Sequence, residues 1–179
     1  ATYAGVRQDP EACARYGLFD HNKLEANLDA RNFSGFPQAF ARVKPDAVIN
    51  CVGIIKQLSG KTRLSDFIEV NALFPHKLAE LCALYEAYLI HLSTDCVFSG
   101  QKGMYTERDT PDPEDIYGQT KLLGEVTEDD CLTIRTSVIG RELQRQTGLL
   151  EWFLSQEEKR IKGYTRAIFS GLTAASLAR

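Results

Sequence analysis

A tyrosine and a lysine four residues apart, Tyr117 and Lys121, could together manage proton transfer to a carbonyl group. Residues at this spacing share one face of a helix. Ser93-Thr94-Asp95 closes an apolar run upstream, and Tyr117 follows Thr94 by 23 residues. A hydroxyl, a phenol and an ammonium group favour carbonyl reduction by a nicotinamide cofactor. The chain has seven tyrosines, so such a pair can also arise by chance on an exposed helix without a catalytic role. The surrounding sequence has to decide between these two interpretations.

Length and composition are typical of one globular α/β domain. The chain has 179 residues, of which 44% are hydrophobic and 25% charged. The net charge of −3 predicts no nucleic-acid surface, and no apolar run is long enough to span a bilayer. Neither cysteine nor histidine spacing predicts a metal site. Three of the five cysteines lie in apolar runs, which predicts reduced, buried thiols in a cytoplasmic protein: Cys51, Cys82 and Cys131.

Short β-prone runs alternate with helical patterns along the chain. Apolar runs without polar alternation predict strands buried on both faces, at residues 1–6, 46–52, 88–92 and 131–134. Helical spacing predicts helices at residues 36–43, 66–87, 116–126, 149–155 and 173–178. Pro75 is expected to kink the second of these helices or to delay its start. This alternation predicts a doubly wound α/β fold with a parallel sheet.

Small and hydroxyl-bearing residues follow three consecutive predicted strands, at residues 50–53, 93–95 and 135–137. Function in doubly wound sheets gathers at the carboxyl ends of the strands. Polar turns follow strands in any α/β protein, but three in a row favour a site at this edge of the sheet.

The run from His91 to Glu125, HLSTDCVFSGQKGMYTERDTPDPEDIYGQTKLLGE, resembles the extended short-chain dehydrogenase/reductase superfamily. Within that superfamily it is most similar to the dTDP-4-dehydrorhamnose reductase-like group. The group's S-T-D-x-V-F-x-G, Y-x-E-x-D and Y-G-x-[ST]-K-x-x-G-E stretches read here as residues 93–100, 105–109 and 117–125. Further matches lie at residues 48–53, 71–75 and 134–140. The resemblance implies a Rossmann-like fold and reduction of a keto group on a nucleotide-linked sugar by NADP or NAD.

The resemblance also implies roles for single residues. Tyr117 is the expected proton donor, and Lys121 is expected to lower the pKa of its phenol and to bind the nicotinamide ribose. Thr94 is expected to hold the substrate carbonyl, with Ser93 as the reserve candidate. Asn71 and Lys56 are weaker candidates, since each also fits a solvated surface residue. The predicted substrate contacts are Thr94, Asp95, Arg135 and Thr136.

The cofactor side of the predicted site begins at Arg7, which ends the first predicted strand. An arginine there accommodates a 2′-phosphate and favours NADP, but nearby Asp9 leaves NAD open, and a surface arginine fits equally well. Residues 51–53 are small enough to let a ring or ribose approach, and residues 29–30 resemble the family's adenine-contacting pair. The predicted cofactor contacts are Arg7, Asp29, Ala30, Cys51, Val52, Gly53, Ser93, Tyr117 and Lys121.

Two departures from the family pattern bear on function. The family's opening G-x-x-G-x-x-G loop is not in the sequence, and residues 1–7 correspond to its second strand. We therefore expect a longer protein, with residues 1–147 in a Rossmann domain that lacks its first strand and residues 148–179 beginning a substrate-binding portion. A natural variant without cofactor binding is the alternative. Cys96 replaces the group's usual tyrosine, which argues against rhamnose-pathway specificity but leaves the reductase chemistry intact.

The sequence thus predicts a sugar-nucleotide reductase. A nucleotide-sugar epimerase or dehydratase, and a non-catalytic NAD(P)-binding regulatory subunit, are the alternatives. Intact Thr94, Tyr117 and Lys121 favour an enzyme over the regulatory subunit. The expected partners are a nucleotide sugar and a second copy of the chain, with no nucleic acid, membrane or metal.

Overall fold

The computed structural model describes residues 1–14, 16–17, 20, 23–143 and 148–179. It has two compact units, Ala1–Arg135 and Thr136–Arg179. Each unit is described by itself below. The domain boundary after residue 147 stays a prediction.

Two parallel sheets form the framework of the first unit. Strand β1 (Ala4–Gly5) pairs with β2 (Leu24–Glu25), and the second sheet has the order β3 (Ala47–Asn50), β4 (Tyr88–Leu92), β5 (Cys131–Ile134). All of these pairs are parallel. In the three-stranded sheet, Asn50 lies opposite His91, so the strand ends meet at one edge. Parallel strands joined through helices confirm the predicted Rossmann-like α/β class.

The observed strands follow the predicted ones most closely at the centre of this sheet. β4 and β5 have the predicted bounds, whereas β3 is shorter than predicted and β1 has only two residues. β2 was not predicted, because a two-residue strand is too short to show a period in the sequence.

The helices of the first unit are α1 (Pro10–Ala14), α2 (Phe36–Val43), α3 (Leu64–Phe67), α4 (Phe74–Leu84) and α5 (Ile116–Leu123). α2 has the predicted bounds. The predicted helix at 66–87 is instead α3, a π-helical turn at Ile68–Leu73, and α4. Pro75 lies in the first turn of α4, where a missing N–H is tolerated, and the wide turn comes just before it. Short 3₁₀ turns occupy Phe33–Gly35, Lys56–Leu58 and Asp95–Val97.

The core of the first unit packs α2 and α4 against β4. Phe36 contacts Phe74 with ring centroids 5.1 Å apart, and Phe40 contacts Tyr85 at 5.4 Å. Leu89, in the middle of β4, is completely buried in the same cluster. Dense packing of this kind gives the end of β4 a rigid base.

The second unit pairs β6 (Val138–Ile139) with β7 (Leu172–Thr173) in parallel and adds α6 (Leu149–Leu154) and α7 (Ala174–Leu177). The helices predicted at 149–155 and 173–178 are confirmed within one or two residues at each end. No helix among the described residues has the length and apolar character needed to cross a membrane.

All five cysteines are free thiols. Cys82 is buried and Cys131 is half-buried, but Cys51 is exposed, so its predicted burial was wrong. The physical reason is that the chain leaves the sheet after Asn50, the last residue of β3.

Candidate active site

Helix α5 carries the Tyr–Lys pair and packs directly against the turn that follows β4. The Asp115 side chain caps the helix by accepting a hydrogen bond from the Gly118 amide at 2.8 Å. A Cβ added to Gly118 would lie 2.3 Å from the carbonyl oxygen of Cys96. Only glycine permits this approach, which places Tyr117 beside the end of β4.

Thr94 opens the 3₁₀ turn beneath that helix. Its side-chain oxygen accepts a hydrogen bond from the Cys96 amide at 3.1 Å, and the residue is buried. The hydroxyl also donates a long hydrogen bond to the Asp95 carboxylate, with 3.4 Å between Thr94 Oγ1 and Asp95 Oδ1. The hydroxyl lies close enough to the Tyr117 phenol for hydrogen bonding, which brings the predicted catalytic hydroxyl and phenol together.

The pKa of the Tyr117 phenol is raised in this structure, so its predicted lowering was wrong. Burial is the largest cause, because a phenolate loses solvation there. The hydrogen bond with Thr94 acts in the opposite direction, and further increases come from Cys96, Asp95 and Asp115. Tyr117 is therefore held in its protonated form at neutral pH.

Lys121 lies in the interior, with 4% of its surface exposed. Its ammonium group donates to the backbone carbonyl of Leu92, with 2.6 Å between Nζ and O. Burial lowers the pKa of Lys121 to about 8, and the Glu125 carboxylate opposes this change. The lysine therefore changes its charge within the range of ordinary assay pH.

Asn71 joins the loop after β3 to this cluster. It is fully buried in the π-helical turn, accepts from the Ile54 amide at 2.7 Å and donates to the Ile54 carbonyl at 3.0 Å. A Cβ added to Gly53 would lie 3.5 Å from Asn71 Oδ1 and 3.9 Å from Lys121 Nζ. The structure thus brings Gly53, a predicted cofactor contact, next to the predicted catalytic lysine.

A buried Asn50–His91 pair lies under the site and was missed by sequence reasoning. Asn50 Nδ2 and His91 Nδ1 are 3.0 Å apart, and Asn50 Oδ1 accepts from the Val52 amide at 3.0 Å. Burial is the main reason why the His91 pKa falls to about 3, with Lys121 contributing, so the ring is neutral. The available signal was that both residues lie near the carboxyl ends of neighbouring predicted strands.

The remaining cofactor candidates lie at the β1–β2 sheet and after β3. Asp29 accepts from Arg31 Nη2 at 2.9 Å, and this bond is the main cause that lowers its pKa, with the charge of Arg7 adding to it. The positive charge of Arg7 therefore acts on the Asp29 carboxylate, and the adenosine contacts of both residues stay predictions. Ala30 packs against the core, and Val52 is 44% exposed.

The substrate candidates are divided between the two units. Arg135 ends the first unit and holds Glu125 through two bonds of 2.8 and 2.7 Å. Thr136 begins the second unit, where its hydroxyl donates to the Ser137 carbonyl at 3.1 Å. Among the described residues, no group of histidine, cysteine and acidic side chains could hold a metal ion.

A parallel sheet with a threonine at one strand end and a Tyr–Lys pair on the next helix defines the extended short-chain dehydrogenase/reductase class. The chain belongs to the RmlD substrate binding domain family, whose family model matches residues 11–161. This membership confirms the resemblance found in the sequence.

The chain aligns with only part of the length of each relative. A dTDP-4-dehydrorhamnose reductase from Mycolicibacterium smegmatis is 36% identical over 107 residues, 54% of this chain and 31% of the relative. The methionine adenosyltransferase 2 subunit beta of Rattus norvegicus is 33% identical over 82 residues, 46% of this chain and 25% of the relative. The crystal structure of a hypothetical dTDP-4-dehydrorhamnose reductase from Sulfolobus tokodaii superposes with a TM-score of 0.63 at 25% identity, covering 79% of this chain and 58% of that one.

Proposed function

We propose that this chain carries the catalytic groups of an oxidoreductase that reduces a keto group on a nucleotide-linked sugar with NADPH or NADH. The observation that carries the proposal is the cluster of Thr94, Tyr117 and Lys121 at the end of β4, with Gly53 beside the lysine. The family membership and the reductase named among the relatives support the same reaction class.

The proton for the reaction comes from Tyr117. A bound nicotinamide cofactor supplies the hydride, and the oxygen of the reduced carbonyl then needs a proton. Burial raises the pKa of Tyr117, so the phenol is available as a general acid at neutral pH. The Cys96 amide holds the Thr94 oxygen in place, and on substrate binding the Thr94 hydroxyl exchanges its 3.4 Å bond to Asp95 Oδ1 for a bond to the carbonyl. Lys121 adds positive charge where negative charge develops.

The residues around this cluster fit a nicotinamide cofactor. Gly53 leaves ordinary contact space beside Lys121, and exposed Val52 offers an apolar surface at the same strand end. Arg7 acts on Asp29 at the other sheet, which suits the adenosine end. Arg7 favours NADP over NAD, because a guanidinium pairs with a 2′-phosphate.

A regulatory subunit of the same fold is the second candidate, favoured by the similarity to methionine adenosyltransferase 2 subunit beta. An epimerase or dehydratase keeps the same three groups and remains the enzyme alternative. The homodimer and the cytoplasmic location stay predictions.

The test mixes the full-length protein with NADPH and a panel of 4-keto nucleotide sugars and follows the absorbance of the reduced nicotinamide. Net oxidation of NADPH is the expected result. Isomerisation of the sugar without net oxidation indicates an epimerase, and cofactor binding without turnover indicates the regulatory role; either result overturns the reductase. Tyr117→Phe should lose at least about 100-fold in kcat, whereas Tyr88→Phe, at a partly exposed position in β4, is the matched control.

A further inference from the structure

One carboxylate, that of Glu125, joins the ends of three elements in the first unit. It accepts from Arg135 Nε at 2.8 Å and from Arg135 Nη2 at 2.7 Å, which is a two-point ion pair. The Ser93 hydroxyl donates to the same carboxylate at 2.8 Å. Glu125 follows α5, Arg135 follows β5 and Ser93 follows β4. The side chains of Glu125 and Arg135 are only 10% and 23% exposed, so water screens this pair weakly.

The other contacts of Arg135 also keep it within the protein. Its guanidinium lies over the ring of Phe98, 5.2 Å from the centroid, and Phe98 stacks on Tyr105 with centroids 4.4 Å apart. The hydrogen bond with Glu125 is the main reason why the pKa of Arg135 is raised. One edge and one face of the guanidinium are thus already in use.

The position of Glu125 follows from close packing of the helix end. A Cβ on Gly124 would lie 1.9 Å from the carbonyl oxygen of Asn71, so the end of α5 rests on the π-helical turn. Glu125 comes directly after this glycine and lies one helical turn beyond Lys121. Ser93, the third partner, comes directly before Thr94. A shift of the carboxylate would therefore move two of the three catalytic groups.

We propose that Glu125, held by Arg135, is a positioning residue that keeps Thr94 and Lys121 in place for proton transfer, and that Arg135 serves Glu125 and not the substrate. This inference rests on the proposed reductase function and reassigns Arg135 within it.

The negative charge of Glu125 should also affect the pKa of Lys121, an effect that a residue with only a structural role would not have. Two groups face Lys121: the carboxylate of Glu125, which follows the end of α5, and the neutral ring of His91 on β4. Tyr117 lies one turn away on α5. His76 on α4 is bonded to the Leu123 carbonyl, and Arg135, directly after β5, is paired with Glu125. Glu125 is the carboxylate that raises the pKa of Lys121 against burial. Removing its charge should make Lys121 lose its proton at lower pH.

The kinetic test compares Glu125→Gln, Arg135→Lys and Ser93→Ala, with Glu128→Gln as the exposed control. Misplaced catalytic groups should reduce kcat of Glu125→Gln by about 10- to 100-fold, with KM for the sugar within about twofold of wild type. Arg135→Lys keeps the charge and should lose less than Glu125→Gln. An increase in KM with kcat unchanged in Arg135→Lys would overturn the inference, because that pattern belongs to a substrate ligand.

A turnover-independent test separates this inference from the proposed function. NMR of lysine labelled at Nζ follows the titration of Lys121 in wild type and in Glu125→Gln, with Lys121→Met to assign the signal. The expected result is a midpoint near 8 in wild type and a lower midpoint in the variant. An unchanged midpoint in a folded Glu125→Gln protein overturns the inference even if no sugar is turned over. If Glu125→Gln does not fold, Ser93→Ala replaces it in the kinetic test above, where an unchanged kcat overturns the inference.

Discussion

The Lys121 ammonium group donates a hydrogen bond to the Leu92 carbonyl, with Nζ and O 2.6 Å apart. Leu92 is the last residue of β4, so this bond ties the last turn of α5 to the strand end that precedes Thr94. The sheet therefore sets the position of the lysine. Because the group is buried, its charge is costly, and its pKa falls to about 8.

Lys121→Met should change how stability depends on pH. The folded pKa of about 8 is below the ordinary 10.5, so between these values the unfolded chain binds more protons than the folded one. The contribution of Lys121 to stability therefore rises with pH across this window. In denaturant unfolding at pH 7 and pH 10, the free energy of unfolding of wild type should increase relative to that of Lys121→Met as pH rises. The exposed Lys77→Met is the control, and a difference from wild type that is the same at both pH values would contradict the prediction.

Lys56 and Asp115 should shift the pKa of the Tyr117 phenol in opposite directions. Their Nζ and Oδ2 are 2.7 Å apart, and Asp115 raises the pKa of Tyr117. Asp115→Asn keeps a helix cap but removes the charge, so the Tyr117 pKa should fall. Lys56→Met leaves Asp115 unpaired, so the Tyr117 pKa should rise.

These two shifts are measured by NMR of tyrosine labelled at Cζ, with Tyr117→Phe to assign the signal. Glu114→Gln is the matched control, since Glu114 is an exposed neighbour of Asp115. Shifts of the same sign in both variants would show that the ion pair does not control the phenol.

Gly118→Ala should destabilise the first unit by about 1–3 kcal/mol, because the new methyl group meets a backbone oxygen that cannot move aside. The added Cβ would be 2.3 Å from the carbonyl of Cys96. Gly60→Ala is the control, since no atom lies within 4 Å of a Cβ there. Free energies of unfolding in denaturant provide the measurement, and equal values for the two variants would exclude the close approach.

Asn71→Ala should cost about 1–3 kcal/mol of unfolding free energy, because it leaves the half-buried Ile54 amide and carbonyl without their side-chain partner. It should also weaken NADPH binding, since Gly53 is then free to leave Lys121. Fluorescence titration with NADPH and denaturant unfolding check the two effects. Glu69→Gln, on the exposed side of the same turn, should change neither. Loss of stability with unchanged NADPH affinity would separate the loop from the cofactor site.

Local patterns predicted the central elements of the fold well. β4, β5 and α2 have the expected bounds, because continuous apolar runs and helical spacing are properties of a few consecutive residues. Such patterns could not predict the strands β2, β6 and β7, because each has only two residues. The π-helical turn before Pro75 was missed as well, because helical spacing in the sequence does not distinguish a π-helical turn from an α-helical one.

The sequence by itself determined which groups could react: Thr94, Tyr117 and Lys121, in an order and spacing that placed them at a strand end and on the following helix. Only the tertiary structure decided their chemical state. It raised the pKa of Tyr117, turned Lys121 toward Leu92 and engaged Arg135 with Glu125. The physical reason is that burial, charge and hydrogen bonding depend on distances between residues far apart in the chain, and these distances are fixed only by packing.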